Sequence, residues 1–136
     1  MSGKMWSTRT SLLNSLLSEM TFTKHNGEEL THEDGFAWWC EQCAHIRSEA
    51  RTVFLVGNGA SASMASHFSA DLCKNGQIHT EVFTDLAQLT AIANDIGYEE
   101  VFSVPLNFHM NPGDMLVAIS SSGRSPNVLR LSLIHI

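Results

Sequence analysis

The apolar positions of this chain change spacing along its length, and the changes mark out the elements. Leu12, Leu13, Leu16, Leu17 and Met20 recur at helical intervals and predict a helix over residues 4–20. Residues 21–30 are polar, contain Asn26-Gly27 and read as a loop. Thr31-x-x-Asp34 is a loose capping box opening a second helix over residues 32–49, with Phe36, Trp39, Cys43 and Ile46 on one face. The spacing then collapses to a continuous apolar run at residues 52–57, the pattern of a strand buried on both faces.

A helix over residues 60–74 comes next, closed by Asn75-Gly76 as its C-cap, and then a second strand near 79–84. Asp85 caps a helix through Leu86, Leu89, Ile92 and Ala93, which Asn94-Asp95-Ile96-Gly97 breaks. Residues 98–109 give another short helix, and Asn111-Pro112-Gly113-Asp114 is a turn before a third strand at 115–119. Pro126 stands at the first turn of a final helix, where its missing N–H costs nothing. The alternation of strands and helices is that of a parallel α/β sheet. Two apolar-faced helices ahead of the first strand exceed what a small sheet needs, and such a surplus face packs on another subunit.

Composition narrows the function. With 136 residues, 43% of them hydrophobic and 16% charged, the chain is globular and has the length of one domain. Its net charge is −6 and its eight Lys and Arg are scattered without a basic stripe, which argues against a nucleic-acid surface. No run approaches the roughly 18 apolar residues of a membrane span. With no secretory signal at the start, the cytoplasm is the expected compartment. Cys40-x-x-Cys43 stands alone, with no second pair and no preceding strand, and reads as part of an amphipathic helix.

Chemistry concentrates where two strands end. Val53 to Val56 run into Gly57-Asn58-Gly59-Ala60-Ser61, and Met115 to Ile119 run into Ser120-Ser121-Ser122-Gly123-Arg124-Ser125-Pro126. Each turn opens a helix, so it offers unpaired backbone N–H groups and the positive end of a helix dipole. The second adds four hydroxyls in six residues. An acidic chain built this way binds phosphate with local dipoles and hydroxyls, and the pair of turns points to a phosphorylated small molecule.

Gly57-Asn58-Gly59-Ala60-Ser61, His67-Phe68-Ser69-Ala70-Asp71-Leu72, Ala91-Ile92-Ala93-Asn94-Asp95-Ile96-Gly97-Tyr98 and Ser120 to Asn127 together resemble the SIS (sugar isomerase) domain, and within it the phosphoheptose isomerases. The resemblance covers residues 30–130. It implies a flavodoxin-like sheet with the second, first and third strands adjacent in that order, and a ligand crevice at the carboxyl ends where the strand order reverses. It implies substrate contacts at Asn58, Gly59, Ala60, Ser61, Asn94, Asp95, Ser120, Ser121, Ser122 and Ser125. Ala60 stands where glycine is commoner, and its Cβ is expected to call for a different backbone there.

His67 and Asp71, at i and i+4, share one helix face. The resemblance implies that His67 binds zinc and that Asp71 binds zinc and serves as catalytic base, in place of a glutamate one methylene longer. It further implies a tetramer built on the N-terminal helices and, for the parent enzyme, conversion of sedoheptulose 7-phosphate to D-glycero-D-manno-heptose 7-phosphate. The family's remaining ligands and general acid have no counterpart here.

The expected division is therefore an oligomerising helical segment over 1–50, a partial SIS domain over 51–130, and a tail over 131–136. That tail matches the in-frame translation of a transposon end used in sequencing libraries, so it is expected to be foreign, His135 included. The chain as it stands is expected to be inactive. Two other readings compete: a non-catalytic SIS protein that senses sugar phosphates or binds a replication initiator, and a dinucleotide site at Gly57-x-Gly59-x-x-Ala62. The carboxylate at Asp71 favours the enzyme over the first. Against the second, Asp85 lies too far from Gly57 to be the acidic residue a dinucleotide site requires.

Overall fold

A computed structural model describes residues 2–133. The chain divides into two compact units, Met1–Gln42 and Cys43–Ile136. The first unit holds α1 (Ser2–Ser18), a hairpin of β1 (Phe22–Thr23) and β2 (Glu29–Leu30), and the start of α2 (His32–Ser48).

The hairpin is a departure from the loop expected there. Phe22 pairs with Leu30 and Thr23 with Glu29 in antiparallel register. Its reversal is held by polar residues: the Asn26 side-chain carbonyl accepts from Glu28 N–H at 3.0 Å, and Lys24 meets the Glu28 carboxylate at 3.1 Å. Hydrogen bonding from Lys24, then from Asn26, holds the Glu28 carboxyl below its usual range. The capping box forms as the spacing predicts, with Asp34 N–H donating to Thr31 Oγ1 at 3.1 Å and the Thr31 hydroxyl returning to the Asp34 carboxylate at 2.8 Å. On α1, Leu12, Leu13, Leu16 and Leu17 are all exposed.

The second unit is built on β3 (Thr52–Gly57). It pairs in parallel with β4 (His79–Val82) on one edge and with β5 (Met115–Ile119) on the other. Since β3, β4 and β5 are the first, second and third strands of the expected sheet, the order is second, first, third, as the resemblance implies. Side chains alternate across a strand, and β3 feeds a core on each face. Val53 and Leu55 join Ile46, Ala65 and Ile78 under α3 (Ala60–Gly76). Phe54 and Val56 join Phe83, Val101, Phe102 and Leu106 on the other face, beneath α4 (Leu86–Asp95) and α5 (Ser103–His109). β5 keeps the same alternation, with Leu116 in the second core and Met115, Val117 and Ile119 against the first.

Three local expectations are corrected. Residues 98–109 are not one helix but a 3₁₀ turn, Tyr98–Glu100, and then α5. The helix expected to stop at residue 74 runs to Gly76, and the left-handed residue that closes it is Gln77, at φ 53°. β4 stops at Val82 rather than 84. Other sequence signals hold: Asp85 Oδ1 accepts from Gln88 N–H at 2.8 Å, and Pro126 occupies the first turn of α6 (Pro126–Leu129). Beyond α6 is a short 3₁₀ segment, Arg130–Leu133, in which Leu131 is buried in the second core. The rest of the expected tail, from residue 134 and including His135, lies outside the described residues.

Gly57 makes the passage from β3 into α3 possible. A Cβ there would lie 2.7 Å from the Ser61 carbonyl carbon and 2.8 Å from its oxygen, both backbone atoms. Gly57→Ala should therefore force the strand and helix apart and cost about 1–3 kcal/mol of stability, as overpacking does. Urea denaturation checks this, and an unchanged midpoint would show that the turn does not need glycine at this position.

Candidate functional site

The parallel sheet presents the carboxyl ends of β3 and β5 side by side, with Gly57 paired to Ile119 at the rim. Past each of these strands the chain must leave the sheet and start a helix within a few residues. After β3, Gly59 makes the reversal at φ 55°, ψ −121°, and caps α3 with no side-chain hydrogen bond. The strain expected at Ala60 is absent: Ala60 is the first residue of α3, and the left-handed dihedral falls on Gly59. No side chain caps the opening of α3, but the expected unpaired N–H groups are partly spent, since Ser61 and Ala62 N–H donate to the Asn58 and Gly59 carbonyls at 3.0 Å and Ser63 N–H to Gly59 at 3.2 Å.

After β5, the serine loop is braced from within. Ser120 Oγ accepts from Gly123 N–H at 3.1 Å, and Ser122 Oγ accepts from Arg124 N–H at 3.2 Å. A hydroxyl that accepts one such bond still has its own O–H to donate. Ser120, Ser121 and Ser125 line a cavity of about 50 Å³ together with Asn58, Ser61 and Ile119. That is several times the ~10–15 Å³ a single water occupies, room for a phosphoryl group but not for a sugar.

The two turns are tied together by a pair of amides. Asn58 Nδ2 donates to Asn127 Oδ1 at 2.9 Å, and Asn127 Nδ2 donates back to Asn58 Oδ1 at 2.9 Å. The Tyr98 hydroxyl adds a third bond to Asn58 Oδ1 at 3.1 Å. Asn127 is 1% exposed, so its polar groups depend on this partner for satisfaction. Asn58 thus spends most of its side chain on the protein and keeps one N–H for a ligand. Asn127 and Tyr98 were not among the site residues read from the sequence. Each closes a quoted motif, but nothing in its local spacing shows that it reaches Asn58, 69 and 40 positions away.

Other expected site residues lie apart from the cavity lining. Ser122, Gly59 and Ala60 are exposed, each next in sequence to a lining residue. Asn94 and Asp95 are exposed at the last turn of α4, where Asn94 Nδ2 donates to Asp95 Oδ1 at 2.8 Å. His67 and Asp71 share one face of α3, with Nε2 and Oδ2 3.5 Å apart. That face is opposite the one that buries Ala65 and Ser69, and the His67 side chain is 83% exposed. Asp71 comes ten residues after Ser61, about 15 Å along the helix axis at 1.5 Å per residue.

A zinc ion takes at least three protein donors even in an open catalytic site. His67 and Asp71 are two. No group of three or more His, Cys, Asp or Glu side chains is placed to hold a metal among the described residues. These residues therefore do not by themselves make a zinc site.

Residues 25–133 match the SIS domain family. The phosphoheptose isomerase of Helicobacter pylori (strain P12) is 45% identical over 84 residues, which are 57% of this chain and 44% of that protein. The phosphoheptose isomerase of Shewanella sp. (strain W3-18-1) is 40% identical over 96 residues, 66% of this chain and 49% of that one. The chain thus spans about half the length of the curated relatives it matches. Among solved structures, phosphoheptose isomerase from Neisseria gonorrhoeae aligns with a TM-score of 0.66 and 34% identity over 71% of this chain and 53% of its own. A phosphoheptose isomerase from Francisella tularensis shares the fold at a TM-score of 0.55 and 24% identity, over 74% of this chain and 66% of that one.

The amide pair generates a direct test. Asn127→Ala removes both reciprocal bonds and should destabilise the fold by about 1–3 kcal/mol, the scale for stranding a buried polar partner. Tyr98→Phe removes one bond and should cost about 0.5–1.5 kcal/mol. Both are read by urea denaturation, and a wild-type midpoint for Asn127→Ala would mean that the pair does not hold the two turns.

Proposed function

The chain belongs to the SIS domain family, and from that premise we propose that it is part of a phosphosugar aldose–ketose isomerase acting on sedoheptulose 7-phosphate. The observation that carries this reading is the cavity shared by Asn58 and Ser61 with Ser120, Ser121 and Ser125 at the strand-order reversal. Apart from Ile119 its lining is four serines and an amide, donors suited to phosphate oxygens without a lysine. Ser122, Gly59 and Ala60 complete its rim in this reading, and Asn94 and Asp95 contact the sugar farther out. The names of the curated relatives support the isomerase over a non-catalytic sensor or replication-initiator partner.

The chemistry asks for a base some distance from the phosphate, because the reacting carbons and the phosphate lie at opposite ends of a seven-carbon chain. This reading assigns that role to Asp71, about 15 Å of helix rise from Ser61. Its carboxylate takes a proton from C1 of the ketose and returns it to C2, while the hydroxyl proton passes from O1 to O2, giving the aldose. The phosphate loop holds the far end still so that this transfer happens at one geometry. His67, beside Asp71, orients the carboxylate.

The exposed leucines of α1 support the further reading that copies of the chain associate through their N-terminal helices as a tetramer. No helix among the described residues is long and apolar enough to cross a membrane, and the proposed reaction is one of the cytoplasm.

Three outcomes test this. Ser125→Ala should weaken binding of sedoheptulose 7-phosphate by about 1.5–3 kcal/mol, the worth of a hydrogen bond to a charged group. It should leave the much weaker binding of unphosphorylated sedoheptulose unchanged. Calorimetry separates the two, and equal losses for both sugars would remove the loop as the phosphate site. In a protein extended to the relatives' full length, Asp71→Asn should abolish turnover with binding retained, whereas residues 1–136 alone should show none. An active Asp71→Asn enzyme would place the base elsewhere. Light scattering of the same extended protein should give a tetramer that deletion of residues 1–30 dissociates or renders insoluble, and a well-behaved monomer before deletion would end that reading.

A further inference from the structure

At the opposite end of the sheet from the serine loop lies a second polar cavity, of about 540 Å³, lined by Arg47, Ala50, Arg51, Thr52, Gln77 and His79. Thr52 and His79 are the first residues of β3 and β4 and pair directly in register. The six residues of β3 separate the two cavities by about 20 Å. The volume falls in the range of small-molecule sites, about 300–1,000 Å³.

The charges that converge here are not used elsewhere in the fold. Two of the chain's eight Lys and Arg face this one cavity in a protein of net charge −6. Among the described residues neither Arg47 nor Arg51 has an ion pair. The nearby carboxylate, Asp114, already spends one oxygen on Thr52 N–H at 2.9 Å and the other on Asn111 N–H at 2.8 Å. Arg51 is held against the turn before β5: a Cβ on Gly113 would lie 3.2 Å from Arg51 Nε, so the glycine leaves room for the side chain. His79 Nδ1 is bonded to the Thr52 hydroxyl at 2.9 Å, which fixes the ring and leaves Nε2 for the cavity.

The backbone around the cavity is also unusual. Ala50 at φ 51° and Gln77 at φ 53° are the only non-glycine residues with positive φ among the described residues, and both line it. Each closes a helix where glycine would be unstrained, α3 at Gln77 and the end of α2 at Ala50. Strained residues of this kind gather where a ligand is clamped.

A plainer explanation is that the arginines merely neutralise the carbonyl ends of two helices. Arg47 does reach the Gly76 carbonyl, at 3.4 Å. Two helix ends supply roughly half a negative charge each, and Asp114 a full one, so the case for a ligand rests on unspent hydrogen-bond donors and not on net charge. Arg47 spends one of its five donors there, and the Arg51 guanidinium makes no hydrogen bond among the described residues. Donors remain unspent on both guanidinium groups, whose forks suit phosphoryl oxygens.

We propose that the cavity bounded by Arg47, Arg51 and His79 is a second anion site, which binds the diphosphate group of a small molecule. Two separate guanidinium groups and a volume about ten times that of the serine-loop cavity fit two linked phosphoryl groups better than one. The absence of an aromatic platform in the lining makes the phosphates, rather than a base, the recognised part.

The probe is inorganic pyrophosphate, titrated calorimetrically into the protein carrying Ser120→Ala and Ser125→Ala, so that the serine loop does not contribute. That protein should bind one pyrophosphate, with an affinity that falls as salt is raised. Arg51→Gln or Arg47→Gln added to it should weaken binding at least tenfold, and both together should abolish it, with circular dichroism unchanged. Arg51→Lys, which keeps the charge and loses the fork, should fall between. Absence of saturable binding in the serine-substituted protein overturns the proposal without touching the phosphosugar reading. Binding that survives both arginine substitutions overturns it as well.

Discussion

A strand with partners on both edges and side-chain layers on both faces has no access to water, so every one of its residues must be apolar or satisfied within the fold. β3 is that strand. Val53, Phe54, Leu55 and Val56 are each no more than 2% exposed. Alternation sends two of them to each face, and each pair becomes the seed of a separate core. Phe54 stacks on Phe83, the residue just past β4 in the same core, at 5.9 Å between ring centroids, a contact worth about 0.5–1.5 kcal/mol beyond its buried area. Strand pairing, helix packing and the position of the crevice all refer back to this strand, because both neighbours take their register from it.

Burial of β3 also dictates what must happen at its ends. At the carboxyl end the chain turns back over the sheet through Gly57 and Gly59, one needed for close approach to Ser61 and the other for its dihedral. That turn and the serine loop after β5 would be independent without the reciprocal amides of Asn58 and Asn127. Burying two amides is unfavourable unless their donors and acceptors meet. Here they meet each other, and Tyr98 takes the remaining lone pair, so the polar groups that shape the crevice also rigidify it. At the amino end, β3 and β4 start beside the closing turns of α2 and α3, where the two arginines collect. The two ends of the sheet therefore carry different polar groups, hydroxyls and an amide at one and guanidinium groups at the other.

The placement of His67 and Asp71 results from helix geometry in the same way. α3 turns Ala65 and Ser69 to the sheet, and the 100° step per residue carries His67 and Asp71 to the far side. A carboxylate there is half exposed and has a histidine for its neighbour. This arrangement explains why the pair is remote from the cavity lined by Asn58 and the serines.

How much of this was legible in advance divides along the range of the interactions. The three strands of the parallel sheet, the capping by Thr31 and Asp85 and the turns after β3 and β5 are written in local spacing and in single residues, because backbone hydrogen bonding and side-chain alternation act over a few positions, while the strand order came from the resemblance to the SIS domain. The small hairpin at Phe22 and Leu30 escaped, since two-residue strands carry no period, and so did the break before α5. The glycine at residue 76 drew the helix end to itself, yet the left-handed residue is Gln77, because the alignment of the helix with β4 decides where the chain must turn. The partnership of Asn58, Tyr98 and Asn127, and the convergence of Arg47, Arg51 and His79, join residues tens of positions apart. The sequence by itself determined most of the elements and the glycine- and serine-rich turns that end β3 and β5. Only the tertiary structure decided which polar groups meet, because those pairings exist once the strand ends have been brought side by side.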